Sequence, residues 1–221
     1  MDSVLVVTVA TEFNKSFRFL YPKIFNSLTY KNKLAAFIDE QDYLQLRDLP
    51  TGEQRAAAGR DIGIALAIKK NVDWILFLDL DIEPDVDIIE KMLAVKHPIV
   101  GSLNAFKHDS WRIMGHNYKN RKTLVKQWLK RSDVDKNQYV HCVSDKILLV
   151  ARGIYNKVDY SDYKGPNFLP NYYMTSGEYY QNRLFEKMKI LPKVCSNAFS
   201  WHYNEDGTAL KLFGKTKIWK T

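Results

Sequence analysis

Only two cysteines occur in 221 residues, Cys142 and Cys195, and they form neither a metal-type cluster nor a disulfide framework. A reducing compartment is therefore the default, and a soluble cytoplasmic protein is expected. Long apolar runs are also missing. Stretches such as Trp74–Leu78 and Ile147–Ala151 fall far short of the ~20 residues a membrane span needs. No basic leader precedes the first apolar run, MDSVLVVTVATEF, which reads as a buried strand and not as a signal peptide. Glycine and proline are modest, at 10 and 7, beside 46% hydrophobic and 26% charged residues. That balance excludes collagen-like, low-complexity and wholly disordered chains. With no internal repeat and no linker, residues 1–221 are expected to form one domain, large enough to bury its own core.

What is present begins with an uneven charge. The net value is +8, yet acids gather in Asp79–Glu90 while Lys107–Lys136 holds nine Lys or Arg against three Asp. Four lysines follow between Lys211 and Lys220, interleaved with Phe213 and Trp219. A basic surface around an acidic pocket suits a phosphate-bearing ligand or a polyanion, although solubility alone also accounts for it.

Apolar periodicity places the elements. Val4–Ala10 reads as a strand buried on both faces, Phe17–Leu28 as a helix and Leu34–Asp39 as a second strand. Thr51 with Gln54 three residues on has capping-box spacing and starts a helix to Lys70, stopped at Asn71. DWILFLDLD is a strand, PDVDIIEKMLAVK a helix with Pro84 near its first turn, and HPIVGSLN a strand. This alternation predicts an α/β fold, a mainly parallel sheet flanked by helices. Asp109–Lys136 reads as loop plus helix, KILLVARGIYNKV as a strand and short helix, Gly177–Lys189 as a helix, and VCSNAFSWHY as a last strand.

The chemistry centres on Trp74–Pro84. A strongly apolar strand delivers Asp79 and Asp81 where the pattern turns polar, at the edge of an open sheet where ligands bind. Residues i and i+2 of an extended chain point the same way, so both carboxylates face one cation. Hard oxygen ligands suit Mn²⁺ or Mg²⁺ completed by substrate phosphates. The acids from Asp79 to Glu90 also fall at EF-hand spacings, but Pro84 occupies the position that needs glycine, and a strand precedes it.

RDIGIALAIKKNVDWILFLDLDIEPDVDIIEKML, followed by HPIVGSL, resembles the nucleotide-sugar-binding half of a GT-A fold glycosyltransferase. KILLVARGIY, SGEYYQNRLFEKMKI and FSWHY resemble later elements of that family in order, so the likeness runs from Val4 to His202. It implies a GT-A-like single domain, with 1–105 holding the donor and 106–221 shaping the acceptor side. It implies that Asp79, Asp81 and His202 hold Mn²⁺ or Mg²⁺, and that Thr8, Ala10 and Glu12 grip nucleobase and ribose. Asp39 corresponds to a uracil contact and Arg60 to a nucleotide-facing arginine. The donor would be a nucleoside-diphosphate sugar, a UDP-sugar, and the acceptor a hydroxyl, most simply of a glycan. Such a small chain fits a phage- or virus-encoded enzyme or one module of a larger polypeptide.

Glu178 departs from the family's pair of acids. It is a base for the acceptor hydroxyl, a passive acceptor contact, or a residue favouring a helix start. Gly165, Pro166, Asn167, Tyr172, Tyr173, Tyr179 and Tyr180 form a candidate acceptor wall, with core packing as the alternative. Trp111, His116 and Trp128 would stack on bases if the acceptor were hydroxymethylated DNA. Two other readings differ in class: a sugar-nucleotide nucleotidyltransferase, disfavoured because no G-x-G-x-R-like loop follows the first strand, and a non-catalytic nucleotide- or DNA-binding protein.

Overall fold

Seven consecutive apolar or β-branched residues make Val4–Ala10 a strand, β1, buried along its whole length. In the computed structural model, which describes residues 1–120, 125–130, 132, 134–160, 162–163 and 174–218, β1 leads through a 3₁₀ turn (Glu12–Phe17) and α1 (Leu20–Ser27) to β2 (Lys33–Asp39). There follow α2 (Leu44–Arg47), α3 (Gly52–Lys70), β3 (Trp74–Leu78), β4 (Ile82–Pro84), α4 (Ile88–Ala94) and β5 (Ile99–Leu103). The second half runs β6 (Ala105–Phe106), β7 (Asp109–Ile113), β8 (Gly115–Asn120), β9 (Val125–Trp128), β10 (Cys142–Val143), β11 (Ile147–Ala151) and α5 (Arg152–Tyr155). It ends with α6 (Ser176–Met188), β12 (Lys193–Tyr203), β13 (Thr208–Lys211) and β14 (Lys215–Ile218).

The main sheet is ordered β14-β13-β12-β5-β11-β3-β1-β2. β1 pairs in parallel with β2 and β3, and β12 with β5, whereas β11 is antiparallel to both β3 and β5. The expected α/β fold is therefore present, but its sheet is mixed: β11 runs reversed between β3 and β5, and β4, β13 and β14 add antiparallel pairs at the far edge. That reversal sets the site: the start of β11, not its end, lies at the carboxyl edge of β1 and β3.

Two apolar clusters cover the two faces of the sheet. Leu5, Val7, Ile75 and Phe77 pack with Ala57, Ile64 and Ala67 of α3 and Tyr180 and Leu184 of α6. Val4, Val6, Leu76 and Leu78 pack with Leu20 and Ile24 of α1 and Ile88, Ile89 and Met92 of α4. The alternation is the period-two rule of a strand buried on both sides. α3 starts as its sequence specifies, since the Thr51 hydroxyl accepts from the Gln54 N–H, and it ends at Asn71 with φ 55°. It also lies unusually close to β1. A methyl group at Gly59 or Gly63 would meet Val9 Cγ1 at 2.5 Å or Val7 Cγ1 at 2.4 Å.

Two local expectations are corrected. Pro84 is not in a helix: β4 pairs antiparallel with β12, Pro84 opposite Ser200, and α4 begins only at Ile88. The strand partner at that edge outweighs the helical pattern. The basic stretch 109–136 is for the most part not loop plus helix. Up to Trp128, where described, it is mostly β-ribbon, with β7 paired to β6 and β8 to β9 and β10, as its β-branched and aromatic residues favour, and the described residues beyond Trp128 are the loop that was expected.

β12 bends across the edge of the sheet. Its first part pairs with β5, and Ser200–Tyr203 then pair antiparallel with β4 and β13. The Tyr203 N–H donates to the Asp81 carbonyl at 2.8 Å, which brings His202 beside Asp81.

Candidate functional site at the carboxyl edge of the sheet

β3 ends at Leu78, and the Asp79 N–H donates to the Lys146 carbonyl, so the segment before β11 lies directly beside the two aspartates. Both carboxylates do face one cation, and it is the Lys146 ammonium, 2.7 Å from Asp79 Oδ2 and 3.7 Å from Asp81 Oδ1. Arg60 reaches the same place from α3. Its guanidinium is 2.9 Å from Asp79 Oδ1 and 3.6 Å from Asp145 Oδ2, and it donates to the Ser176 hydroxyl at 3.1 Å. Arg60 is 5% exposed, so these are buried contacts and not a surface ion pair.

Asp81 is buried, with Lys107 Nζ at 3.0 Å and His202 Nε2 at 3.3 Å from its Oδ2. Lys107 comes from the turn between β6 and β7, so one charge of the basic stretch belongs to the acidic site. Burial would raise the Asp81 carboxyl, but Lys146, His202 and Lys107 outweigh it and hold the group well below the usual carboxylate range. Burial likewise pulls Lys146 down, and Asp79, Asp81 and Asp145 reverse that and drive it up. Asp145 moves the other way. Burial raises it, Arg60 opposes and Asp79 adds to the rise.

His202 tests whether a metal suits these residues. Its Nδ1 lies 2.9 Å from the Ala105 carbonyl, which only accepts, so Nδ1 carries the proton. A neutral ring then aims a bare Nε2 lone pair at the Asp81 carboxylate. Two acceptors face each other there, and either a second proton or a metal cation between them resolves the conflict. A carbonyl-anchored histidine beside a carboxylate is also the usual outer support of a metal ligand. Asp81 and His202 thus fit Mn²⁺ or Mg²⁺. Asp79 stands apart, held by Arg60 and Lys146. Among the described residues, one trio of His, Cys, Asp or Glu has all its ligand atoms within 4.8 Å of one another, and it is His116, Cys142 and Glu178.

A cleft of about 540 Å³ opens beside Asp79, a size that suits a small-molecule ligand. Its walls are Val9 of β1, Thr11 and Asn14 after it, the first turns of α3 from Thr51 to Arg60, Asp145, Lys146, Met114 and Thr175. Thr8, Ala10 and Glu12, expected to grip a nucleotide, do not line this cleft. Thr8 and Ala10 point to the α1 face, while Val9 and Thr11 face the cleft, because neighbours on a strand alternate. Thr8 is buried with its hydroxyl unpartnered among the described residues. Glu12 is exposed in an ion pair with Lys15. Asp39 is buried against Arg18 at 2.7 Å and accepts from the Gln41 N–H.

Glu178 does not line the cleft. It completes the capping box of α6, accepting from the Thr175 N–H through Oε2, while Oε1 meets Lys126 at 2.6 Å and His116 at 3.5 Å. Burial raises its carboxyl and Lys126 opposes this. Tyr180 is core, stacked on Tyr160 at 4.0 Å, and Tyr179 leans on Tyr163. His116 is 1% exposed between Tyr118 and Trp128, so it is not free to stack on a base. Gly165, Pro166, Asn167, Tyr172, Tyr173 and Trp219 lie outside the described residues.

Asp145, Lys146, Val9 and Thr11 escaped the sequence reading. The available signal was the Ser144-Asp145-Lys146 step into a continuous apolar strand, which becomes a site signal only once β11 is known to run backwards.

No family model and no curated protein matches the chain. Among solved structures it is similar to A197 from STIV, with a TM-score of 0.60 at 14% identity, over 99% of this chain and 95% of that one. At that identity the likeness speaks for a shared fold alone. The fold and site together define a single-domain α/β protein with a charged cleft at the carboxyl edge of its sheet.

Proposed function

We propose that the chain is a GT-A-like, metal-dependent glycosyltransferase that moves a sugar from a nucleoside-diphosphate sugar, a UDP-sugar, to the hydroxyl of a glycan. The observation that carries this reading is the buried Asp81–His202 pair, whose facing acceptor atoms a metal cation would reconcile, joined to a cleft of nucleotide size through Lys146, which lines the cleft 3.7 Å from Asp81 Oδ1. In this reading Asp81 and His202 hold Mn²⁺ or Mg²⁺, and Asp79 lies alongside. When bound, the ion neutralises charge on the departing diphosphate. Lys146 and Arg60 add fixed positive charge at the cleft wall, where a diphosphate is stabilised by preorganised donors. The first turns of α3 contribute a helix N-terminus, which favours anions. Glu178 as acceptor base is not part of this proposal, because both its oxygens are engaged away from the cleft.

The test is donor hydrolysis of UDP-, GDP- and TDP-sugars with Mn²⁺. A UDP-sugar signal supports the reading, and no hydrolysis of any donor refutes it. Hydroxymethylated DNA is a second reading for the acceptor, favoured by Trp111, which is 70% exposed, and by Arg112 stacked over both Phe106 and Trp128. Duplex DNA should then bind with a steep salt dependence, and absence of binding at low salt removes this acceptor.

A further inference from the structure

We propose that His116, Cys142 and Glu178 form a second metal site, which takes a zinc ion and ties strands β8 and β10 to the start of α6. The three side chains come from separate parts of the chain, and all are buried. His116 and Cys142 are directly opposed in the β8–β10 pair. Glu178 is brought to them because Gln181, one turn further along α6, bonds both the N–H and the carbonyl of Val143.

Their ligand atoms all lie within 4.8 Å of one another, and His116 Nδ1 is 3.5 Å from Glu178 Oε1. Ligands bonded to zinc at ~2.0–2.3 Å in a tetrahedron sit about 3.3–3.8 Å apart, so that edge is already the right length. Thiolate, imidazole and carboxylate together suit Zn²⁺, and it is the soft thiolate that sets this trio apart from a site for the harder Mn²⁺ or Mg²⁺.

The histidine supplies an independent argument. Its Nε2 has no hydrogen-bond partner among the described residues. If Nε2 carries the proton, that donor is orphaned and the Nδ1 lone pair faces a carboxylate. If Nδ1 carries it, the Nε2 lone pair is orphaned. In the first tautomer a metal cation at Nδ1 turns the lone pair that faces Glu178 into a bond and leaves the proton on Nε2. Lys126 does not block this, because a carboxylate oxygen accepts a hydrogen bond and binds a metal through different lone pairs. Zinc binding releases the Cys142 thiol proton to solvent, and three protein ligands leave the fourth position to a water.

The site is independent of Asp79, Asp81 and His202, and so is its test. Chelator-treated protein is titrated with Co²⁺. One equivalent should produce a near-ultraviolet sulfur-to-cobalt charge-transfer band, which one equivalent of Zn²⁺ then removes. Cys142→Ser should abolish the band, while Cys195→Ser and Asp81→Ala keep it. His116→Asn should weaken cobalt binding at least tenfold, as loss of a ligand does. No band in the wild-type protein overturns the proposal without recourse to any variant. So does a band that survives Cys142→Ser or disappears with Asp81→Ala.

Discussion

Arg60 offers the sharpest test of the charged cluster. Its guanidinium is buried with Asp79 at 2.9 Å, Asp145 at 3.6 Å and the Ser176 hydroxyl at 3.1 Å, and it lies over the Tyr160 ring at 5.3 Å. Arg60→Ala removes the cation and leaves two carboxylates near each other with Lys146 as their remaining close cation. Breaking a buried pair by deleting one partner costs about 3–5 kcal/mol. Arg60→Lys retains the charge and loses the fork that reaches Asp79 and Ser176 together. At about 1 kcal/mol for each hydrogen bond, it should lose less than the alanine variant. The loss should also depend on pH. Asp145 is already raised by burial and by Asp79, and without Arg60 it rises further. Protonation then relieves the repulsion, so Arg60→Ala should be more damaging at pH 8 than at pH 5. Urea unfolding followed by circular dichroism at the two values reads this directly. A loss under about 1 kcal/mol, the range of exposed ion pairs, would show that Arg60 is not the buried hub described.

The Tyr21 hydroxyl is unpartnered among the described residues and pushed up to about 12 by burial. The stability held by its neutral form is complete below pH 10 and is lost as pH rises through 12. Tyr21→Phe should remove that alkaline loss in melting temperatures taken from pH 9 to 12, and an unchanged alkaline profile would contradict it. Gly63→Ala places a methyl 2.4 Å from Val7 Cγ1 and should cost about 1–3 kcal/mol in chemical unfolding despite the better helix propensity of alanine. A neutral or stabilising result would mean that α3 does not rest on β1 as described.

How far the sequence discloses this molecule depends on whether a feature is local. The cap at Thr51, the stop at Asn71 and the two aspartates after β3 are set by neighbours a few residues away, and each is where the pattern puts it. The direction of β11 is not local. Its five apolar residues read the same forwards or backwards, and only pairing between β3 and β5 reverses it. With the direction went Asp145 and Lys146, two of the five charged residues that line the cleft. That Val9 and Thr11 face the cleft while Thr8 and Ala10 do not was hidden for a similar reason, since a strand buried on both faces carries no polar alternation to show which side is open. Cys142 looked solitary because its neighbours His116 and Glu178 come from another strand and a helix.

The direct measurement is calorimetric titration of UDP into the wild-type protein and Asp81→Ala, each with and without Mn²⁺. The wild-type protein should bind UDP in the cleft with an affinity that Mn²⁺ raises at least tenfold. Asp81→Ala should keep its fold by circular dichroism and show no effect of Mn²⁺. UDP affinity that is indifferent to Mn²⁺ in the wild-type protein, or equally metal-dependent in Asp81→Ala, would contradict a metal-held nucleotide at the end of β3.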